Sequence, residues 1–438
     1  MSYNKVGALR FVEENDVKFI RLQFSDILGN LKNISISANQ LSKAFDEGIA
    51  FDASSILGFS CIEDSELFLH PDPSTLCILP WRPQHGKVAR LFCDIKRADG
   101  TYFEGDCRYL LRHVFEKAKS QGLIFHVGPE CEFFLFQRDS EGNPILKPAD
   151  KAAYFDVAPL DQGENTRREI CLTLEEMGFE IESSHHECAY GQHEIDFKYD
   201  DVLKSADNIL SFKSVVKTIA GRNGLHASFM PKPFTDTSGS GMHINMSLFK
   251  DGENIFSTKH NAGLPLIAQQ FIAGILTHIR EMTAICNPIV NSYKRIHSGY
   301  KAPRHISWSY KNRSTLIRVP STRQGHNRIE LRSPDPICNP YLALSLILAA
   351  GLDGIDKQMQ LCSPLSQNAY NLSSDPLAEM TMTTLPINLN EALSEMKQSN
   401  FVKSTLGNHI FSQYITIKEN EWETYNRTVH AWEVQHYL

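Results

Sequence analysis

Two carboxylates stand two positions apart in the otherwise apolar segment VGPECEFFLF, residues 127–136. A segment this rich in aromatic residues predicts a strand, in which Glu130 and Glu132 point to the same face. An isolated pair of this kind usually lies on a solvated strand face, but the apolar flanks argue against an open polar face here. Because two buried carboxylates are costly without a cation, the segment favours a sheet with a cation site on one face.

A second segment, HHECAYGQHEID at residues 185–196, concentrates ionisable side chains around the turn-forming Gly191. Carboxylate oxygens suit Mg²⁺ or Mn²⁺, and imidazole shifts the preference toward Mn²⁺ or a softer ion. The zinc-protease pattern H-E-x-x-H is absent from the sequence. The ionisable groups that need a shared ligand are His185, His186, Glu187, His193, Glu194 and Asp196.

A third segment, TSGSGMHINMSL at residues 237–248, places two glycines before His243. Glycine allows the backbone to approach a ligand closely, although a single histidine in a strand is more often structural than metal-binding. The phosphate-binding pattern G-x-x-x-x-G-K-[ST] does not occur in the chain. The loop therefore predicts a ligand contact of another kind.

A fourth segment, residues 291–336, carries seven arginines around Glu330. Arginine forks match phosphate and carboxylate oxygens, which favours a polyphosphate and an acidic substrate. The alternative is a basic surface for nucleic acid; the net charge of -7 and the interspersed apolar residues argue against it. The arginines are Arg295, Arg304, Arg313, Arg318, Arg323, Arg328 and Arg332.

Length, cysteine spacing and apolar stretches constrain the organisation of the chain. Its 438 residues exceed what one hydrophobic core usually serves, so we expect two domains with a boundary near Gly105. The ten cysteines include no C-x-x-C pair, which favours a reducing cytoplasm. No signal peptide is evident, and the longest apolar stretch, residues 341–352, is shorter than the roughly 20 residues of a membrane span.

These four segments, together with FDASSILGF at 51–59 and NPYLALSLILAAGLDGI at 339–355, resemble the glutamine synthetase family over essentially the whole chain. The resemblance is to the shorter type I enzymes of Gram-positive bacteria and archaea. It implies an α+β fold, with a small β-grasp-like domain at residues 1–105 and a catalytic domain at 106–438 whose curved antiparallel sheet is flanked by helices. It also implies a cytoplasmic ligase of nitrogen metabolism, assembled as a dodecamer of two hexameric rings, without nucleic acid or membrane partners.

The implied reaction is the ATP-dependent ligation of ammonia to the γ-carboxylate of glutamate through γ-glutamyl phosphate, giving glutamine, ADP and phosphate. By resemblance, one Mg²⁺ or Mn²⁺ site is formed by Glu132, Glu187 and Glu194, and the second by Glu130, His243 and Glu330. The resemblance places Arg295, Arg332 and Gly239 at glutamate, Arg313 and Arg318 at the transferring phosphate, and Glu182, Tyr199, Ser247 and Arg328 at ATP. It places Tyr154 and Asp52 at ammonium, with Asp52 supplied by a neighbouring subunit.

Two positions depart from the family pattern. Lys301 replaces a flap glutamate that helps to bind and deprotonate ammonium, and Ser238 replaces an asparagine next to the glutamate pocket. An unperturbed lysine, with a pKa of about 10.4, repels ammonium and is no base at neutral pH. Two alternatives therefore stay open: γ-glutamylation of another amine of the polyamine or methylamine type, and a catalytically weak nucleotide-binding paralogue that acts as a nitrogen sensor.

Overall fold

The computed structural model describes residues 3–59, 65–82, 85–257, 263–297, 301–320, 328–372 and 382–438. The N-terminal part forms a six-stranded sheet in the order β2-β1-β6-β4-β3, with β5 paired to β6. The pair β1–β6 is parallel and the others are antiparallel. The elements are α1 (Lys5–Glu14), β1 (Val17–Ser25), β2 (Leu31–Ser37), α2 (Leu41–Glu47), β3 (Ile49–Asp52), β4 (Glu66–Pro71), β5 (Cys77–Ile78) and β6 (Lys87–Lys96).

Strands β1 and β2 form a hairpin, and Asp26 explains its turn. The Asp26 carboxylate accepts hydrogen bonds from the backbone N–H groups of Leu28 (3.0 Å) and Asn30 (2.8 Å). Gly29 has φ +81°, a conformation that favours glycine. The turn thus sets the register that pairs Ser25 with Leu31.

The second sheet has eleven strands and is built around one long strand, β7. Strand β7 pairs with β13 along one edge and with β10 along the other, and β9 pairs with β10. The strands are β7 (Leu123–Arg138), β8 (Pro144–Pro148), β9 (Ile181–His186), β10 (Gln192–Phe197), β11 (Asp200–Asp201), β12 (His226–Ser228), β13 (Met242–Lys250), β14 (Glu253–Asn254), β15 (Trp308–Tyr310), β16 (Ile317–Val319) and β17 (Ile329–Leu331).

Helices cover one face of this sheet. Alternate residues of β7 pack into the main hydrophobic core beneath them, whereas Glu130 and Glu132 point to the opposite face. The core residues of β7 are Leu123, Phe125, Val127, Cys131, Phe133 and Leu135. The helices are α3 (Cys107–Ser120), α4 (Glu164–Glu176), α5 (Val202–Arg222), α6 (Leu266–Cys286), α7 (Val290–Ile296), α8 (Pro340–Asp356), Ala369–Leu372, Leu389–Gln398, Asn400–Arg427 and Ala431–Tyr437.

Helix α8 contains the long apolar stretch of the sequence and is buried along most of its length. Asn339 caps it by accepting a hydrogen bond from the N–H of Tyr341 (3.0 Å). A side chain at Gly354 would place its Cβ 2.2 Å from the carbonyl oxygen of Gln270, so α8 and α6 touch backbone to backbone. Within the described ranges, no helix combines the length and apolar character needed to cross a membrane.

A buried ion cluster connects the N-terminal part of the chain with helices α3 and α5. Arg108, at the start of α3, is 3% exposed and pairs with Asp72 (3.0 Å), Asp94 (2.8 Å) and Asp207 (2.8 Å). These aspartates come from the N-terminal part and from α5, so one guanidinium connects them. The α+β class is confirmed, and the domain boundary near Gly105 stays a prediction.

Local features set the strands of the large sheet, and one of them corrects the expectation that the sheet is antiparallel. The segment HHECAYGQHEIDFKY forms two antiparallel strands, β9 and β10, because the chain reverses at Gly191 with φ +64°. The segment HASFMPKPF contributes only β12, since Pro231 and Pro233 cannot donate to a ladder. The large sheet is not wholly antiparallel, because β15 and β16 run parallel.

Candidate active site

The face of the large sheet that is opposite the helices carries a cavity of about 410 Å³. Glu130 of β7 lies opposite His243 of β13, and Glu132 lies opposite Glu194 of β10. The two-residue period of the strands therefore brings together side chains that are distant in sequence. The predicted site residues that line the cavity are Glu130, Glu132, Tyr154, His185, Glu187, Glu194, Asp196, Ser238, Gly239, His243, Arg295, Lys301, Arg313, Arg318, Arg328 and Arg332.

One possible metal-binding triplet consists of Glu130, His243 and Glu330, whose ligand atoms lie within 4.8 Å of one another. His243 Nδ1 lies 3.1 Å from Glu130 Oε2 and 3.7 Å from Glu330 Oε1. Burial, together with the charge of Arg332, lowers the pKa of His243. The imidazole is therefore neutral at pH 7, which is the form that coordinates a metal ion.

A second triplet consists of His185, Glu187 and Glu194. His185 Nε2 lies 3.3 Å from Glu187 Oε1. The resemblance groups Glu132 with these two glutamates, and that grouping stays a prediction; His185 lies beside the same two glutamates. The two triplets lie along neighbouring strands on the same face of the sheet.

Glu132 lies between the triplets and accepts hydrogen bonds from Gly241 N (2.8 Å) and Gln192 Nε2 (3.1 Å). Burial and the charge of Glu187 raise the pKa of Glu132 to about 8. Burial and Glu132 likewise raise the pKa of Glu194 well above its ordinary value. A divalent cation would neutralise this concentration of negative charge, and the carboxylate and imidazole donors fit such an ion.

Arginines form the other side of the cavity. Arg318 Nε and Arg332 Nη1 donate to the two oxygens of Glu330, which is fully buried. Arg332 Nε is also buried, and within the described part of the chain it has no hydrogen-bond partner. A buried donor without an acceptor is costly, so the group is suited to an anionic ligand.

Arg295 reaches this side from α7. It is 2% exposed and donates to the carbonyl oxygens of Ser333 (2.7 Å) and Arg332 (3.1 Å). Gly241 makes room for it, because a Cβ at that position would lie 2.4 Å from Arg295 Nη2. The cavity therefore has an acidic side that can hold cations and a guanidinium side that can hold phosphate or carboxylate groups.

Lys301 is a cation on the acidic side of the cavity. Its Nζ lies 2.7 Å from Cys188 Sγ and 5.1 Å from the ring centroid of Tyr154. Cys188 directly follows Glu187, a member of the second triplet. The positive charge therefore stands next to possible metal ligands and next to the tyrosine predicted to contact the amine.

The remaining predicted residues lie outside the cavity. Ser247 of β13 is paired with His126 of β7, and the ring centroid of His126 lies 5.5 Å from that of Tyr199. Ser247 and Tyr199 therefore lie on the same face of the sheet as the cavity, beyond Gly128. Glu182 is exposed on β9. Asp52 is exposed at the end of β3, where its carboxylate accepts a hydrogen bond from Ser54 N (2.9 Å).

Gln192 and Tyr370 also line the cavity, although neither was predicted as a site residue from the sequence. The turn at Gly191 could have indicated Gln192, since it precedes Glu194 by two positions in a strand. No comparable local pattern marks Tyr370, whose hydroxyl donates to the carbonyl oxygen of Arg313 (3.4 Å).

Comparisons with known proteins agree with this geometry. Two family models match the chain: "Glutamine synthetase, beta-Grasp domain" at residues 16–98 and "Glutamine synthetase, catalytic domain" at residues 104–437. The glutamine synthetase of Clostridium saccharobutylicum is 53% identical over 437 residues, covering 100% of this chain and 99% of the relative. That of Methanosarcina mazei is 52% identical over 435 residues, covering 99% and 97%.

Solved structures show the same likeness. GmaS in complex with ADP superposes with a TM-score of 0.89 at 31% identity, covering 98% of this chain and 99% of the other. Plasmodium falciparum glutamine synthetase superposes with a TM-score of 0.89 at 26% identity, covering 100% and 99%. With both family models matched in order and relatives alike over their full length, the chain belongs to the glutamine synthetase family.

Proposed function

We propose that this chain ligates ammonia to the γ-carboxylate of glutamate at the expense of ATP, through γ-glutamyl phosphate, and releases glutamine, ADP and phosphate. The observation that carries the proposal is that two carboxylate–imidazole triplets face a group of arginines across one cavity. One side suits divalent cations and the other suits anionic substrates. Phosphoryl transfer to a carboxylate requires both.

The two triplets are proposed to hold Mg²⁺ or Mn²⁺, with Glu132 between them. When bound, such ions neutralise negative charge on a transferring phosphoryl group. Arg313 and Arg318 are proposed to bind the oxygens of that group, and Arg295 and Arg332 to bind the carboxylates of glutamate. Glu182, Tyr199, Ser247 and Arg328 are proposed to bind ATP along the continuing face of the sheet.

The amine step is proposed to use Tyr154 and Asp52. Hydrogen bonds from Ser54 lower the pKa of Asp52, which keeps this exposed carboxylate ionised and able to attract ammonium. Asp52 lies outside the cavity of its own chain, which supports its donation to a neighbouring subunit. We therefore propose a homo-oligomer, a dodecamer of two hexameric rings in the cytoplasm, whose sites are completed between subunits.

The test is a product assay with purified protein, ATP, Mg²⁺, glutamate and ammonium. Glutamine, ADP and phosphate should appear in equal amounts, and omission of any one substrate should stop glutamine formation. Glu194→Ala should abolish the reaction. Glu176→Gln, an exposed change on α4, should not. Steady ADP release without glutamine would refute the proposal.

Lys301 favours a second candidate, the γ-glutamylation of another amine. If ammonium is the acceptor, Lys301→Glu should lower the KM for ammonium, because a carboxylate replaces a repelling charge, while the KM for ATP changes little. If Lys301 recognises an acidic amine, the same change should lower activity with that amine. Ammonium, methylamine, putrescine and an amino acid should be compared as acceptors, with Lys311→Glu as an exposed control outside the cavity.

A further inference from the structure

Lys301 lines the catalytic cavity, and its backbone is fixed there. The residue has φ +54°, a left-handed conformation that is uncommon for residues other than glycine and that is often found at functional sites. Ala302, which follows it, is buried with 3% of its surface exposed. The lysine side chain therefore starts from a packed backbone and reaches into the cavity.

The Lys301 amine is close to the groups proposed to act on the acceptor amine and on the transferring phosphate. Its Nζ lies 5.1 Å from the ring centroid of Tyr154. Burial and Glu187 raise the pKa of the tyrosine hydroxyl, and the charges of Arg313 and Lys301 oppose that rise. One phenol therefore lies within electrostatic reach of a possible metal ligand, a proposed phosphate-binding arginine and this lysine.

The amine is also near the arginines proposed to bind glutamate. Burial raises the pKa of the Tyr370 hydroxyl, which lies in the same cavity. Three cations oppose that rise, namely Arg332, Arg295 and Lys301. The Lys301 amine therefore shares its surroundings with the proposed sites of both glutamate and its acceptor.

A thiol, and no carboxylate, is the hydrogen-bond partner of the Lys301 amine within the part of the chain that the structure describes. Nζ donates to Cys188 Sγ at 2.7 Å, and sulfur is a weak acceptor. Burial lowers the pKa of Lys301, but Cys188 and Glu187 outweigh burial and raise it. The amine therefore starts protonated, as ammonium does, and it can exchange the thiol for another contact at low cost.

We propose that Lys301 is itself a γ-glutamyl acceptor, so that the protein modifies its own chain when no free amine is bound. This inference rests on the proposed function, because the step uses γ-glutamyl phosphate made from ATP and glutamate. The Nζ lone pair forms a bond to the acyl carbon, and the bond from that carbon to the phosphate oxygen breaks, leaving its electrons on phosphate. Of the two protons that the ammonium group loses, one goes to phosphate and one to Asp52, the base proposed for ammonium. An isopeptide bond then joins the γ-carbonyl of glutamate to Lys301.

The modification has a direct consequence for the reaction with ammonium. A tethered amine acts at a high effective concentration, so Lys301 competes best when free ammonium is scarce. The added glutamyl group removes the lysine charge and fills the acceptor side of the cavity. Exposure to ATP and glutamate without ammonium should therefore lower later glutamine formation.

The test is intact-mass spectrometry of the full-length protein after incubation with ATP, Mg²⁺ and glutamate but no ammonium. At least half of the chains should gain the mass of one glutamyl residue, and peptide mapping should place it on Lys301. Saturating ammonium should lower the modified fraction at least tenfold. Lys301→Arg keeps the charge without a nucleophilic amine and should gain no mass. Lys311→Arg, exposed and outside the cavity, should gain it as the wild type does.

Glutamine assays on the same samples separate this inference from the proposed function. Glutamine formation with ammonium, but no mass gain without it, would overturn the self-modification and leave the proposed function intact. A mass gain in Lys301→Arg, or on another lysine, would place the nucleophile elsewhere and overturn the assignment. Absence of both glutamine and mass gain would overturn both.

Discussion

Metal binding should release a proton from Glu132, and the amount follows from its environment. Burial and Glu187 hold the pKa of this carboxyl at about 8. At pH 7 it is then roughly nine-tenths protonated, and at pH 9 roughly one-tenth. Because a divalent cation favours the ionised form, binding should release about 0.9 proton at pH 7 and about 0.1 at pH 9. Apparent affinity should fall about tenfold per pH unit below 8 and level off above it.

Calorimetric titration with Mg²⁺ in buffers of different ionisation enthalpy measures this proton release directly. Glu132→Gln should bind the ion more weakly and lose this proton release at pH 7. Glu176→Gln serves as the matched control and should behave as the wild type. Release above one proton would show that Glu194, whose pKa is also raised, contributes. Affinity that does not change between pH 6 and pH 8 would refute the assigned protonation state and the role of Glu132.

Further predictions concern the triplets, the domain junction and the assembly. Glu187→Ala should abolish turnover and weaken Mg²⁺ binding while the thermal midpoint stays near that of the wild type. Arg108→Ala removes the buried guanidinium that Asp72, Asp94 and Asp207 share and should cost about 3–5 kcal/mol in urea unfolding. Mixing inactive Asp52→Asn and Arg295→Ala subunits should restore activity in reassembled oligomers, and light scattering of active fractions should find no active monomer.

The acidic face of the large sheet could be predicted because it rests on a local rule. Side chains alternate between the two faces of a strand, so Glu130 and Glu132 point to the same face, and the same rule applies to the segment around Glu194. The resemblance supplied the grouping with Glu330, which lies far away in sequence. The sequence placed His185 in the same segment as Glu187 and Glu194, but which members of that segment come together could not be predicted, because it depends on which strand lies beside β10 and in which register.

The arginine side was harder to predict for a different reason. The density of arginines in the sequence indicated anion binding. It did not distinguish Arg318 and Arg332, which pair with Glu330, from Arg313, which is exposed. That division depends on short strands that meet only in the folded sheet. Arg323 lies outside the described residues.

The alternation of faces along Gln192–Phe197 constrains how this enzyme can change in length during evolution. His193 and Ile195 face the core side and Glu194 faces the cavity, so deletion of one residue within the strand would exchange their environments. A carboxylate would then enter an apolar core, while a possible metal ligand would be lost. Insertions and deletions among relatives should therefore be rare here and should collect instead in the exposed turn at Asp139–Asn143 between β7 and β8.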